Sequence, residues 1–211
     1  MKSQRMTLPD FDPIPLTVTD VTLERAGIPL ISDLSLNVAP GEALVLLGRN
    51  GVGKTTFLRA LSGVLRPASG AVFYGERPAI EAAPAVCAFL GHDNALKPDE
   101  TPRQSLMFWS ALSGLAGAVP TAMEQMGLKA LADRPARRLS QGQKRRSALA
   151  RILVQNRPVW LLDEPAAPLD TDGRDRLSAA VTAHRNRGGL VIAATHQALD
   201  WPGARVRELT R

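Results

Sequence analysis

The stretch GRNGVGKTT, from Gly48 to Thr56, carries the residue types needed to hold a nucleoside triphosphate. Gly48, Gly51 and Gly53 let the backbone curl so that successive N–H groups face one anion, and a helix starting directly afterwards adds the positive end of its dipole. Lys54 then reaches the β- and γ-phosphates, and the Thr55 hydroxyl faces Mg²⁺. The spacing G-x-x-x-x-G-K-T is specific when a buried strand precedes it and a helix follows, which is the pattern here. Gly48, Arg49, Asn50, Gly51, Val52, Gly53, Lys54, Thr55 and Thr56 are therefore expected to hold ATP.

Farther along, VWLLDEP ends an apolar run with two carboxylates, Asp163 and Glu164. α/β folds collect catalytic groups at such strand ends. Asp163 is expected to hold Mg²⁺ through a water, and Glu164 to orient and polarise the water that attacks the γ-phosphate. Before it, LSQGQKRR (Leu139 to Arg146) places Ser140 three residues ahead of Gln143, the pattern of a capped helix start. The cations that follow, Lys144, Arg145 and Arg146, read as a surface turned to solvent, to acidic groups of a partner, or to lipid.

Such groups need rigid elements to aim them. The apolar runs ALVLL (43–47), VWLL (159–162) and LVIAA (190–194) do not alternate, which implies a sheet covered on both faces and parallel α/β architecture. Helical patterns separate them: Thr55 to Val64, Gln141 to Gln155 with Leu149, Ile152 and Leu153 on one side, and Asp172 to Arg187. LTVTDVTLE and DLSLNVAP alternate polar and apolar residues as half-exposed antiparallel strands do, giving a small side sheet. From about Thr101 to Leu139 two helical patterns, SLMFWSALSGLAG and TAMEQMGLKALA, succeed each other with no strand between them. The expected organisation is one domain over 1–211, with a core of about 14–91 and 140–211 and a helical subdomain of about 92–139.

The 211 residues are 45% hydrophobic and 22% charged without a long apolar run, so a soluble globular domain with no membrane span is expected. Lys2 and Arg5 are followed by Pro9, Pro13 and Pro15 where a secretory signal needs an unbroken apolar stretch, which points to the cytoplasm. Cys87, in AVCAFL, reads as a buried small thiol without chemistry. A net charge of +6 raises nucleic acid as a partner. No aromatic interleaves the cations between Arg134 and Arg157, however, so a single-strand stacking platform is excluded.

Nearly end to end, the chain resembles the nucleotide-binding subunits of ATP-binding cassette (ABC) transporters. GRNGVGKTT is similar to that family's phosphate loop, LSQGQ to its signature, VWLLDEP to its Walker B strand, APLD to its D-loop, and His196 in AATHQ to its switch histidine. The resemblance implies an α/β fold of the RecA-like P-loop NTPase class, with a parallel sheet core, an antiparallel β side sheet and a small α-helical subdomain. It implies Mg²⁺-dependent ATP hydrolysis with Lys54, Glu164 and His196 as catalytic groups and Thr55 and Asp163 at the metal. It also implies an ATP-dependent homodimer, in which Ser140, Gln141, Gly142 and Gln143 of one copy meet the ATP held by the other. There Ser140 would donate a hydroxyl hydrogen bond and Gly142 would allow close approach, while Gln141 stands where glycine is commoner.

Two further positions differ from the common form. Arg25 stands where an aromatic usually stacks on adenine, and is either a stacking guanidinium or an exposed strand-end arginine. His92 stands where a glutamine usually senses the γ-phosphate and faces the membrane partner; magnesium-bound water or the γ-phosphate is its expected contact. LGH at that site, GQKRRSALAR, THQ and the short segment after His196 resemble the haem-exporter branch of bacterial cytochrome c maturation, from which Asp93 departs. That branch implies a peripheral ATPase on the cytoplasmic face of the inner membrane, integral membrane permease partners, and haem transfer or haem-chaperone release. No Cys-x-x-Cys-His occurs and the three histidines are scattered, so no haem is expected to bind this chain directly. Export of another small molecule is the alternative. Neither a long coiled coil nor a second cassette is present, so no nucleic acid is expected.

Overall fold

The computed structural model describes residues 10–210. The segment with Lys2, Arg5 and Pro9, on which the absence of a signal was partly read, lies outside the described residues. Strands β1 (Leu16–Arg25) and β2 (Ile28–Val38) pair antiparallel through a two-residue turn, Ala26 and Gly27, with φ of 52° and 74°. Positive φ at both positions matches the twist of a tight hairpin and sets Arg25 at its tip. In β1 the inward residues run Leu16, Val18, Val21, Leu23. The skipped register is a bulge at Asp20, φ 49°, which keeps the apolar set on one face.

The chain continues through β3 (Ala43–Leu47), the phosphate loop, α1 (Lys54–Leu61), β4 (Ser69–Tyr74), β5 (Arg77–Pro78), α2 (Ala79–Val86) and β6 (Cys87–Leu90). Then come α3 (Pro102–Leu112), α4 (Val119–Gln125), α5 (Gln141–Gln155), β7 (Val159–Asp163), α6 (Thr171–Asn186), β8 (Leu190–Thr195) and β9 (Arg205–Glu208). One sheet is wholly parallel in the order β6-β7-β8-β3-β9; the other is antiparallel in the order β2-β1-β4-β5. The two-layered burial explains the unbroken apolar runs. Val45, Leu90, Trp160, Leu162, Val191 and Ala193 pack toward α3 to α6, whereas Leu44, Leu46, Leu161, Leu190, Ile192 and Ala194 pack toward α1 and the side sheet.

The fold class expected from the motifs is the one observed, with local differences. β4 and β5 join the side sheet although their short segment shows little alternation, and α3 starts at Pro102 rather than Ser105. Thr101 caps it: its Oγ1 accepts from the Gln104 N–H at 3.2 Å, and its own N–H donates to Gln104 Oε1 at 2.9 Å. The helix expected over 121–132 divides, because Gly127 takes φ 63° and ends α4. Cys87 is half-buried against Tyr74, and burial pushes its thiol up to about 12, so it has no thiolate character at neutral pH. No helix among the described residues is long and apolar enough to cross a membrane.

His184 on α6 is 3% exposed and stacks on Trp160 at a ring separation of 3.9 Å, with Nε2 3.1 Å from the Pro158 carbonyl. Burial drives its pKa down to about 3; the Pro158 contact opposes this and the charge of Arg187 adds to it. The folded chain thus keeps His184 neutral while the unfolded chain protonates it below about 6.5. Its contribution to stability is complete above that pH and is lost as pH falls toward 3, at up to about 1.4 kcal/mol per pH unit. Melting temperature is expected to fall between pH 7 and 5, with a shallower slope in His184→Phe. Identical slopes would assign the acid sensitivity to other groups.

Candidate nucleotide site

The phosphate loop leaves β3 and enters α1 at Lys54. Gly51 and Gly53 have φ of 82° and 110°, a region in which a side chain is strained. Gly48 is required for space instead, since a Cβ there would lie 2.7 Å from the Leu209 carbonyl. Lys54 is 6% exposed and its ammonium donates to the carbonyls of Gly48 at 2.6 Å and Arg49 at 3.1 Å. This folds the lysine back across its own loop, with Nζ 3.8 Å from Glu164 Oε1.

Three adjacent parallel strands converge at this end of the sheet: β7 carries Asp163 and Glu164, β8 carries Thr195 and His196, and β3 feeds the loop. The Thr55 hydroxyl donates to Asp163 Oδ2 at 2.7 Å. Glu164 takes φ 46°, and its N–H donates to the Ala194 carbonyl at 2.8 Å. Its Oε2 accepts from the Thr195 hydroxyl at 3.1 Å, while Oε1 lies 3.0 Å from His196 Nδ1. A carboxylate gripped on both oxygens at a left-handed backbone position is a strained, over-determined feature of the kind found at reactive sites. Thr195 was not foreseen; its only sequence signal is its place beside His196.

A cavity of about 680 Å³ opens over these groups. Its walls include Arg25 and Ile28 from the hairpin tip, Asn50, Gly51, Gly53, Thr55 and Thr56 from the loop and α1, and His92, Asp163, Glu164 and His196. Gly48, Arg49 and Val52 lie instead along an adjoining hollow bounded by Glu208 and Leu209. Thr55 and Asp163 present two hard oxygen ligands, which fits Mg²⁺ completed by phosphate oxygens and water.

Ser140, Gln141, Gly142 and Gln143 do not line this cavity. Ser140 caps α5, its Oγ accepting from the Gln143 N–H at 3.2 Å and its N–H donating to Gln143 Oε1 at 3.0 Å. Its hydroxyl proton remains free to donate outward. A Cβ on Gly142 would lie 2.8 Å from the Pro168 carbonyl, so glycine serves packing within the chain at that position.

The solvated face expected for Lys144, Arg145 and Arg146 is corrected. Arg145 is 2% exposed, and burial lowers its pKa to about 10, opposed by Asp163. Arg146 and Lys144 are half-buried, and Arg146 reaches Asp172 at 3.3 Å. The cause is helical periodicity: Arg145 precedes Leu149 by four residues and Ile152 by seven, so it shares their buried face. That spacing was visible in the sequence, and charge type concealed it.

Residues 31–167 match the family model described as ABC transporter. The chain is 54% identical over 200 residues to the cytochrome c biogenesis ATP-binding export protein CcmA of Maricaulis maris, covering 94% of this chain and 93% of that one. It is 44% identical over 194 residues to the protein of the same name from Paracoccus denitrificans, covering 92% and 88%. Among solved structures it superposes on a putative ABC transporter ATP-binding protein of Pyrococcus furiosus with a TM-score of 0.82 at 23% identity, covering 92% and 97%. It also superposes on cbiO1 of Clostridium perfringens, part of the cbiONQ transporter complex, with a TM-score of 0.74 at 28% identity, covering 86% and 78%.

Proposed function

This chain belongs to the ABC transporter family of ATP-binding subunits, and from that premise we propose that it is the ATP-hydrolysing subunit of an inner-membrane export complex serving cytochrome c biogenesis. The carrying observation is the convergence of Lys54, Thr55, Asp163, Glu164 and His196 on one cavity from three neighbouring strand ends. ATP binds with its phosphates on the loop and the N-terminus of α1, and Lys54 offsets charge at the β- and γ-phosphates. Thr55 and Asp163 would hold Mg²⁺, which when bound would supply positive charge beside the phosphate oxygens. Glu164 Oε1 accepts a hydrogen bond from the attacking water and polarises it, while His196 and Thr195 fix the carboxylate. Arg25, at the hairpin tip, stacks on the base. His92 faces the γ-phosphate end.

Two ATP molecules lie between two copies of the chain, each copy supplying its phosphate loop to one site and Ser140 to Gln143 to the other. The exposure of Ser140 and its absence from the cavity of its own chain support this arrangement. The core spans about 14–91 and 140–211, and the helical subdomain about 92–139. Met107, Phe108 and Leu112 on α3 are 58%, 57% and 65% exposed, an apolar strip suited to a membrane subunit at the cytoplasmic face. The exported cargo is haem, or the released species a haem chaperone, handled by the permease and not by this chain.

Purification from native membranes in mild detergent is expected to retain integral membrane subunits of the cytochrome c maturation type. Met107→Ser combined with Phe108→Ser is expected to release those subunits while nucleotide binding persists. A complex unaffected by that pair would move the interface off α3.

A further inference from the structure

We infer that Arg145 is a positioning residue, which clamps the peptide carrying Glu164 to the helix beginning at Ser140 and to the loop carrying His92. The inference rests on the proposed role of Glu164 in ATP hydrolysis. A guanidinium has five N–H donors, and each of them has an acceptor here. Nε donates to the Pro165 carbonyl at 3.4 Å. Nη1 donates to the Gly91 carbonyl at 2.8 Å and to Asn94 Oδ1 at 3.1 Å. Nη2 donates to the Glu164 carbonyl at 3.0 Å and to that of Asp163.

Three consecutive carbonyls, 163 to 165, therefore turn toward one cation, and the middle residue is the one with φ 46°. A glutamate reaches that conformation only when its surroundings enforce it. The side chain of Glu164 is steadied by Thr195 and His196, whereas its peptide is held by Arg145, by the bond of its N–H to the Ala194 carbonyl at 2.8 Å, and by a long bond from the Ala167 N–H to its carbonyl at 3.5 Å. Gly91 and Asn94 bracket His92, so the same cation ties the His92 loop to the hydrolytic carboxylate. Arg145 does not line the nucleotide cavity and acts through Glu164. Lysine would retain the charge but has three donors and no fork, so it cannot hold both segments.

The test compares the full chain with Arg145→Lys, Glu164→Gln and the double variant, reading ATP affinity with a fluorescent analogue, kcat and KM. Arg145→Lys is expected to lower kcat about tenfold to a hundredfold through displacement of Glu164, with affinity within about twofold of wild type. In the Glu164→Gln background it is expected to add no further loss, because its effect passes through the missing carboxylate. An unchanged kcat overturns the inference. So does a fall in affinity that matches the fall in kcat/KM, or an additional loss in the double variant, each of which marks a purely structural arginine. If Arg145→Lys fails to fold, Asn94→Ala decides: kcat down about fivefold at unchanged affinity supports the clamp, and unchanged kcat overturns it. Full turnover by Glu164→Gln would sink the proposed function and this inference together, whereas an inactive Glu164→Gln beside a fully active Arg145→Lys would sink this inference alone.

Discussion

Glu164→Gln is expected to lower kcat for ATP by about 10²–10⁴-fold while ATP affinity stays at or above that of the wild type. The amide keeps the shape of the side chain and can still accept from the Thr195 hydroxyl, 3.1 Å from Oε2 in the wild type. It removes the negative charge that polarises water. It also removes the charge 3.8 Å from the Lys54 ammonium, so that no carboxylate competes there with the phosphates for that cation. Binding and closure then proceed without cleavage, and an ATP-bound pair of chains accumulates. Size exclusion with ATP should show the doubled mass, absent without nucleotide. A variant that stays monomeric in ATP would count against Glu164 as the group acting on water.

Ser140→Arg is expected to abolish turnover, by at least about a hundredfold, with ATP binding to the isolated chain unchanged. The separation follows from geometry, since Ser140 is exposed at the start of α5 and contributes nothing to the cavity of its own phosphate loop. A large cation there blocks the approach of a second copy's triphosphate. The substitution also deletes a helix cap, which by itself costs about 1 kcal/mol. Ser140→Asp separates the two effects, because aspartate keeps the cap and sets a carboxylate against the γ-phosphate. Loss of turnover in both variants assigns it to the shared site. Normal turnover in Ser140→Arg would refute that site outright.

Much of the site was legible from single stretches. The loop from Gly48 to Thr56 declares itself because its chemistry is local: glycine backbone, a lysine and a hydroxyl at fixed offsets. Asp163 and Glu164 were legible because a buried strand ending in two carboxylates has few structural reasons to do so. Arg25 and His92, placed by resemblance, stand on the cavity wall, while Arg49 and Val52 face an adjoining hollow. The curl of the loop turns some of its residues to each hollow and leaves Asn50 and Gly51 between the two, which a motif does not distinguish.

By itself the amino-acid order determined the main strands and helices of the core and the apolar faces they bury, because strand and helix periods are local and apolar burial follows them. It also marked the candidate triphosphate site, from adjacent residues at the spacing a phosphate loop uses. Only the tertiary structure decided that Thr55 meets Asp163 across 108 residues, that Thr195 grips Glu164, and that Arg145 is buried in carbonyls and not turned to solvent. Those outcomes depend on strand order and on how a helix docks, and their energies come from groups far apart in the chain. A cation reads as surface until the fold supplies five acceptors around it.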